Sequence, residues 1–311
     1  MKVLLGKIKK HGFRGTFQIL RKLLKTASIE ISYGYRLQDK LALLIRWLLI
    51  PFYIMFRGRY PYADFYPFDV ILRMHDNSLF YCKRGTGDVY ALLFDETPFG
   101  ESFRLNLEQF FQIHEGIFLD VGANIGKYTI IMARKLGSHG IVIALEPNPD
   151  IYNRLIFNIK LNCLINVIPL NIAADSENRR MTLFVDPLYH GFSSLLYPLD
   201  SKLAETEGGK KEKLHSVEVE TRRLDDIVEE LKIDKEIRLV KIDVEGYEAE
   251  VLKGSSRIIE RYKPMIVFEA WDEVRLKRVE ELLLRFGYEI QPIALYNYIA
   301  FPKTPTHAGG I

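Results

Sequence analysis

The chain has 311 residues, 48% of them apolar and 27% charged, and a net charge of +3. That is room for one large domain plus an appendage, with the composition of a protein that builds a core. Two cysteines exclude a disulfide framework, and neither Cys82 nor Cys163 sits in a C-x-x-C pair, so a reducing compartment is expected and no metal is assigned.

The charge is unevenly placed. Residues 1–59 hold thirteen Lys and Arg against two acids, which leaves the remainder with a net charge of −8. Thr16 to Lys25 puts apolar and basic groups on opposite faces of a helix, a pattern that suits an anionic surface. Leu41 to Phe56 is an apolar run of sixteen residues interrupted by Arg46 and Pro51. A spanning helix needs about 20 apolar residues. The run is also too far along the chain for a signal peptide. Two readings stand: a helix buried against the main domain, or contact with a membrane surface. Residues 1–60 are therefore taken as a basic helical region that would hold the protein peripherally on the cytoplasmic, inner face of a membrane.

Residues 61–116 form a second stretch, opening on the aromatic connection Pro61 to Pro67. Val70 to Met74 and Leu79 to Cys82 predict a hairpin about the turn pair Asp76-Asn77. Glu101 to His114 predicts a helix that leads into the first strand of the main sheet.

The main domain is expected over 117–303. Ile117 to Val121 is apolar apart from Asp120, as in a strand buried on both faces of a parallel sheet, and Tyr128 to Leu136 continues at helical spacing. Between them Gly122-Ala-Asn-Ile-Gly126 makes a turn whose backbone a ligand can approach at a helix N-terminus. A Walker loop needs four residues between its glycines and Ser or Thr after Gly-Lys; here three intervene and Tyr128 follows Lys127. The dinucleotide fingerprint needs a glycine where Asn124 stands, and Asp120 would repel a pyrophosphate. A ligand with a positive pole, such as S-adenosylmethionine, fits better. A nicotinamide-dependent oxidoreductase is the rival enzyme class, and a catalytically inactive membrane-associated binding protein the rival outside catalysis. The next strand, Gly140 to Glu146, ends in an acid twenty residues after Gly126, the spacing at which a carboxylate reaches ribose hydroxyls.

Further along, Asp150 to Asn162 predicts a helix and Val167 to Ala173 a strand. Met181 to Val185 and Val217 to Thr221 predict two more strands around a polar insert containing Gly208-Gly209-Lys-Lys. Ile237 to Asp243 and Met265 to Glu269 are buried strands that each end in an acid. Ligands of open α/β sheets bind beyond the carboxyl ends of the strands, so Asp120, Glu146, Asp243 and Glu269 should meet at one crevice. Asp272 to Phe286 predicts an amphipathic helix, Tyr288 to Ile293 and Asn297 to Phe301 a closing strand pair, and residues 304–311 a flexible tail.

Asp120-Val-Gly-Ala-Asn-Ile-Gly126, Ala144-Leu-Glu-Pro-Asn-Pro149, Asn158-Ile-Lys-Leu-Asn162, Leu224-Asp-Asp226, Lys241-Ile-Asp-Val-Glu-Gly-Tyr-Glu248 and Val251-Leu-Lys-Gly254 resemble the FkbM-type methyltransferases over about Asp88 to Glu269. The resemblance implies a Rossmann-like class I methyltransferase fold, a mostly parallel, twisted seven-stranded sheet with helices on both faces, and S-adenosylmethionine as methyl donor. It implies a donor site drawn from Asp120, Gly122, Asn124, Gly126, Tyr128, Glu146, Pro147, Asn148, Ala174, Asp175 and Asp243. The acceptor it implies is a hydroxyl on a sugar, glycolipid or natural product; no nucleic-acid partner is expected. Asp243 is the first candidate for the base that takes the hydroxyl proton, Glu245 the second and His190 the third. Asp243, Glu245 and Glu269 could also chelate a divalent cation, but no dedicated metal loop is present.

Overall fold

The computed structural model describes residue 18 and residues 21–57, 66–98, 115–185, 195 and 215–303. The predicted helix at Glu101 to His114, the Gly208-Gly209 insert, His190 and the tail at 304–311 lie outside the described residues. The chain divides into two compact units. One comprises Met1–Arg104, Phe157–Cys163 and Asp186–Phe192; the other comprises Leu105–Ile156, Leu164–Val185 and Ser193–Ile311.

In the first unit residues 21–33 are helical, and a second helix runs from Leu37 to Arg57. This 21-residue helix runs through Pro51, one of the two residues that interrupt the apolar run in the sequence. Proline removes one N–H and crowds the preceding turn, a cost of about 3 kcal/mol that burial of one side of the helix has to offset. Its start is fixed by Asp39, whose Oδ2 accepts the Arg36 backbone N–H at 2.8 Å, as the acid of a capping box does. Ala42, Leu43, Arg46 and Ile50 are buried, while Leu37, Leu41, Leu44 and Leu48 are exposed.

The expected hairpin is present as β1 (Val70–Arg73) and β2 (Leu79–Cys82), paired antiparallel with Val70 opposite Cys82. Asn77 takes φ 64° in the turn, and Asp76 Oδ1 accepts from Ser78 N at 2.9 Å. The outer edge of β2 is completed by two amides. Asn158 Oδ1 accepts from Tyr81 N, and Asn162 Oδ1 accepts from Leu79 N, each at 2.8 Å. Their i,i+4 spacing on a helix puts both on the same side, and that is the local reason for the Asn158-x-x-x-Asn162 pattern.

The second unit is built on β3 (Gly116–Val121), β4 (Gly140–Leu145), β5 (Val167–Leu170), β6 (Ala173–Ala174), β7 (Arg179–Val185), β8 (His215–Arg222), β9 (Ile237–Ile242), β10 (Met265–Glu269), β11 (Tyr288–Ala294) and β12 (Asn297–Pro302). Seven of these form one sheet in the order β11-β12-β10-β9-β3-β4-β5. The neighbours from β10 to β5 are parallel, and β12 runs antiparallel to both β10 and β11. This is the fold expected of a class I methyltransferase, with the apolar residues of β3, β4, β9 and β10 forming the core. Strand order reverses between β3 and β9, and that switch point is where a crevice opens in such sheets.

One strand differs from expectation. The run Val167 to Ala173 is divided: β5 stops at Leu170, and Ala173–Ala174 joins a separate three-stranded sheet of order β6-β8-β7. Asn171 stands at the division, where its Nδ2 donates to the carbonyls of Glu146 at 2.8 Å and Pro147 at 3.0 Å. It ties down the chain that leaves β4 in place of continuing its own ladder.

Candidate active site

The turn after β3 is folded by its own backbone. Gly122, Asn124 and Gly126 have φ of 78°, 53° and 98°, and the N–H groups of Gly122 and Ala123 both donate to Leu145 O, at 3.0 and 2.9 Å. Gly122 tolerates no side chain, because a Cβ there would lie 1.9 Å from the carbonyl oxygen of Asp243. Asn124 supports its left-handed conformation with a 2.7 Å contact in which its Oδ1 accepts from Ile125 N. The helix Lys127–Leu136 follows directly, with Gly126 at its N-cap.

Glu146, one residue past β4, clamps this turn. Its Oε2 accepts from Asn124 N and its Oε1 from Asn148 N, both at 2.9 Å. Burial raises its carboxyl to about 7, against the pull of those two backbone donors and of Arg154 and Lys241. Asn148 begins the helix Pro149–Leu161: its Oδ1 accepts from Asp150 N at 3.0 Å, with proline at the first helical position. Pro147 lies between the two as a spacer.

Lys241 gathers the acids of the central strands. It stands opposite Asp120 in the parallel register of β3 and β9, and its buried ammonium lies 3.5 Å from Asp120 Oδ1 and 3.2 Å from Asp243 Oδ2. Burial alone would lower its pKa, but Asp243 and Asp120 outweigh that and raise it, so the lysine stays charged. The Tyr128 ring sits with its centroid 5.4 Å from the same ammonium. Thr129 Oγ1 donates to Asp120 Oδ2 at 2.6 Å, while Asp120 Oδ1 is buried and accepts no hydrogen bond.

Beyond Lys241 the carboxylates are in excess. One oxygen from each of Asp243, Glu245 and Glu269 lies within 4.8 Å of the others. Burial pushes Glu269 up to about 10, with Asp243 and Glu245 adding to the shift and a hydrogen bond joining it to Asp243. Glu245 is raised well above the carboxylate range by burial and by Asp243, and its backbone is held at φ 54°. Glu269 therefore holds its proton at neutral pH, while Asp243 lies with its Oδ2 against the Lys241 ammonium. The same trio has the donor set to hold a divalent cation, with Lys241 as the resident positive charge.

Several assignments are redirected by the structure. Glu248, the first residue of the helix Glu248–Lys253, fastens the turn before it: its Oε1 accepts from Gly246 N at 2.9 Å. Ala174 and Asp175 are buried in the small sheet. There Asp175 accepts from Arg179 Nε at 2.9 Å and from Thr221 Oγ1 at 3.2 Å, so its carboxylate serves as a structural tie. Gly254 packs against the same place, since a Cβ would meet the Asp175 carbonyl oxygen at 2.0 Å. Lys241, Thr129, Glu248 and Arg275 escaped the sequence reading. Lys241 left the clearer signal, as a charge at a buried position of a strand whose other charge is the half-buried Arg238.

Two features of the site suit the donor: a glycine turn after β3 whose backbone a ligand can approach, and an acid just past β4 at the sequence spacing such sheets use for ribose. Comparison with known proteins agrees. Residues 120–290 match the Methyltransferase FkbM domain. The methyltransferase sdnD of Sordaria araneosa is 32% identical over 190 residues, covering 55% of this chain and 73% of that protein. The hexuronic acid methyltransferase AglP of Haloferax volcanii is 29% identical over 184 residues, 59% of this chain and 62% of the other. A solved FkbM methyltransferase from Methylobacillus flagellatus aligns at 18% identity and a TM-score of 0.45, over 69% of this chain and about half, 54%, of its own. The chain belongs to the FkbM methyltransferase family, and its methyl donor is S-adenosylmethionine.

Proposed function

We propose that the protein methylates a hydroxyl oxygen of a sugar, glycolipid or related natural-product acceptor. The observation that carries this is the grouping of acids at Lys241: Asp243 Oδ2 lies 3.2 Å from its ammonium, and Glu269, raised to about 10, is hydrogen-bonded to Asp243 beside it. Bound S-adenosylmethionine supplies a methyl carbon activated by its sulfonium. Asp243 would take the proton as the acceptor O–H bond breaks, while the O–CH3 bond forms as the donor's S–CH3 bond breaks and the neutral thioether leaves. Lys241, 3.2 Å from Asp243 Oδ2, and Glu269, hydrogen-bonded to Asp243, would hold that carboxyl group in place. Tyr128 and the turn at Gly122–Gly126 hold the donor side, so that nucleophile and methyl are kept in line.

A cavity of about 200 Å³ beside Gly246 is lined by Arg179, Arg275 and Arg278 and also by Glu248 and Glu250, with Arg179 paired to Asp175 and Arg275 to Asp272, so its mixed charge does not by itself select an acceptor. That one relative is a hexuronic acid methyltransferase makes a uronic acid the first acceptor to try. The test is transfer of labelled methyl to an extract divided into lipid, polysaccharide and small-molecule pools. Alkali-stable label in a sugar-bearing pool is expected. Label that mild alkali releases would mean an ester formed on a carboxylate, and label on nitrogen would likewise overturn the hydroxyl reading.

A further inference from the structure

The helix Leu37–Arg57 is apolar on two sides, only one of which is used inside the protein. Ala42, Leu43, Arg46 and Ile50 are buried at the three- and four-residue spacing of one side. On the other, Leu37 is 75% exposed and Leu48 62%, and Leu41, Leu44, Ile45 and Leu49 are exposed with them. At 3.6 residues per turn, Leu37, Leu41, Leu44 and Leu48 fall within an arc of about 60°, a continuous stripe where scattered exposed leucines would be unremarkable. Exposed Lys40 borders it.

The segment that carries the stripe is strongly basic in sequence. Residues 1–59 contain two acids, and both are turned inward. Glu30 is buried against the Arg46 guanidinium and also accepts from Trp47 Nε1 at 2.8 Å. Asp39 is fully buried and takes two hydrogen bonds from the Arg36 guanidinium, at 2.9 and 2.8 Å. The segment has no further carboxylate, while eleven other Lys and Arg belong to it.

We propose that this face docks on an anionic lipid bilayer, with the helix lying in the headgroup plane, the leucine stripe inserted and the basic residues against anionic headgroups. Among the described residues no helix is long and apolar enough to cross a membrane, so the contact is along the surface. Charge selects this occupant over a second copy of the chain, which would bring one strongly basic segment against another. Each basic residue near an anionic leaflet multiplies partitioning about fivefold.

The test is co-sedimentation of the full chain with phosphatidylcholine vesicles, with and without phosphatidylserine. Binding is expected only with phosphatidylserine, and should fall at least about tenfold as the Debye length shrinks from about 10 Å at 0.1 M to 3 Å at 1 M salt. Leu44→Glu with Leu48→Glu should reduce binding at least about tenfold, with melting midpoint and S-adenosylmethionine affinity unchanged. Should the double variant lose its cooperative melt, Leu48→Asn alone is expected to reduce binding severalfold. Absence of phosphatidylserine-dependent binding, or equal binding by the folded variants, overturns the proposal. So does a concentration-dependent dimer that the double variant abolishes, which would mean that a second copy covers the stripe. The readout is partitioning and not methyl transfer, so it is independent of the acceptor.

Discussion

Glu30 and Asp39 in the first unit, and Asp120, Glu146 and Glu269 in the second, are acids wholly or largely drawn out of water and matched in opposite ways. Each of the first two has an arginine to itself: Arg46 for Glu30, Arg36 for Asp39. In the second unit one lysine serves Asp120 and Asp243, and Glu269 is neutral because it keeps its proton. A buried acid matched one to one with a guanidinium has nothing left to offer a ligand and acts as a fastening. A cluster with more carboxylates than cations keeps acceptor capacity and a movable proton. Burial alone therefore does not mark a functional acid; the local balance of charge does.

The comparison makes its largest prediction at Asp243. Asp243→Asn should lower turnover by about 10²- to 10⁴-fold, the usual contribution of a positioned base, while donor affinity by calorimetry changes little. Near-normal turnover would remove Asp243 from the acceptor's proton path. At the other pole, Arg46→Met should destabilise by about 3 to 5 kcal/mol in urea unfolding, because Glu30 is left buried and unmatched. Glu30→Leu combined with Arg46→Met should recover most of that loss, and neither variant should alter donor affinity. A shift in donor affinity would show that Arg46 is more than a fastening.

Glu146 tests the intermediate case, since it both clamps the turn and faces the donor. Glu146→Ala should weaken S-adenosylmethionine by about 2 to 4 kcal/mol, as charged hydrogen-bond acceptors do when removed; an unchanged dissociation constant in a folded variant would leave it a clamp only. The smallest effect is on pH. Glu146 has its carboxyl raised from 4.5 to about 7 in the folded protein, so between those values the folded state binds more protons than the unfolded one. Its contribution to stability is full below about 4.5 and is lost as pH rises through about 7. Glu146→Gln should flatten the fall of the urea midpoint across that window, and an identical slope in the variant would assign the titration elsewhere.

How much of this could be read in advance follows the range of the interactions involved. Strands β3, β4, β9 and β10 and the acids at or just past their ends were legible, because a buried parallel strand is a short apolar run and its end is marked by Gly or Pro. So was the hairpin, from its turn pair. Asp175 was not, because its role depends on Arg179 and on Thr221, which is far away in sequence. The run Leu41 to Phe56 stood open between two readings, because a sequence does not say which side of a helix is covered; the burial of Ala42, Leu43 and Ile50 is a matter of tertiary packing.

The sequence by itself determined the fold class, the donor turn and the identity of the acids, since each is written in a contiguous stretch whose periodicity and glycines admit one backbone course. The tertiary structure alone decided how those acids are charged. Asp120 and Lys241 are cross-strand neighbours only because β3 pairs with β9, across more than a hundred residues of chain. The chemistry of the site depends on which carboxylates that pairing brings within a few ångströms of the buried Lys241, where little water screens them.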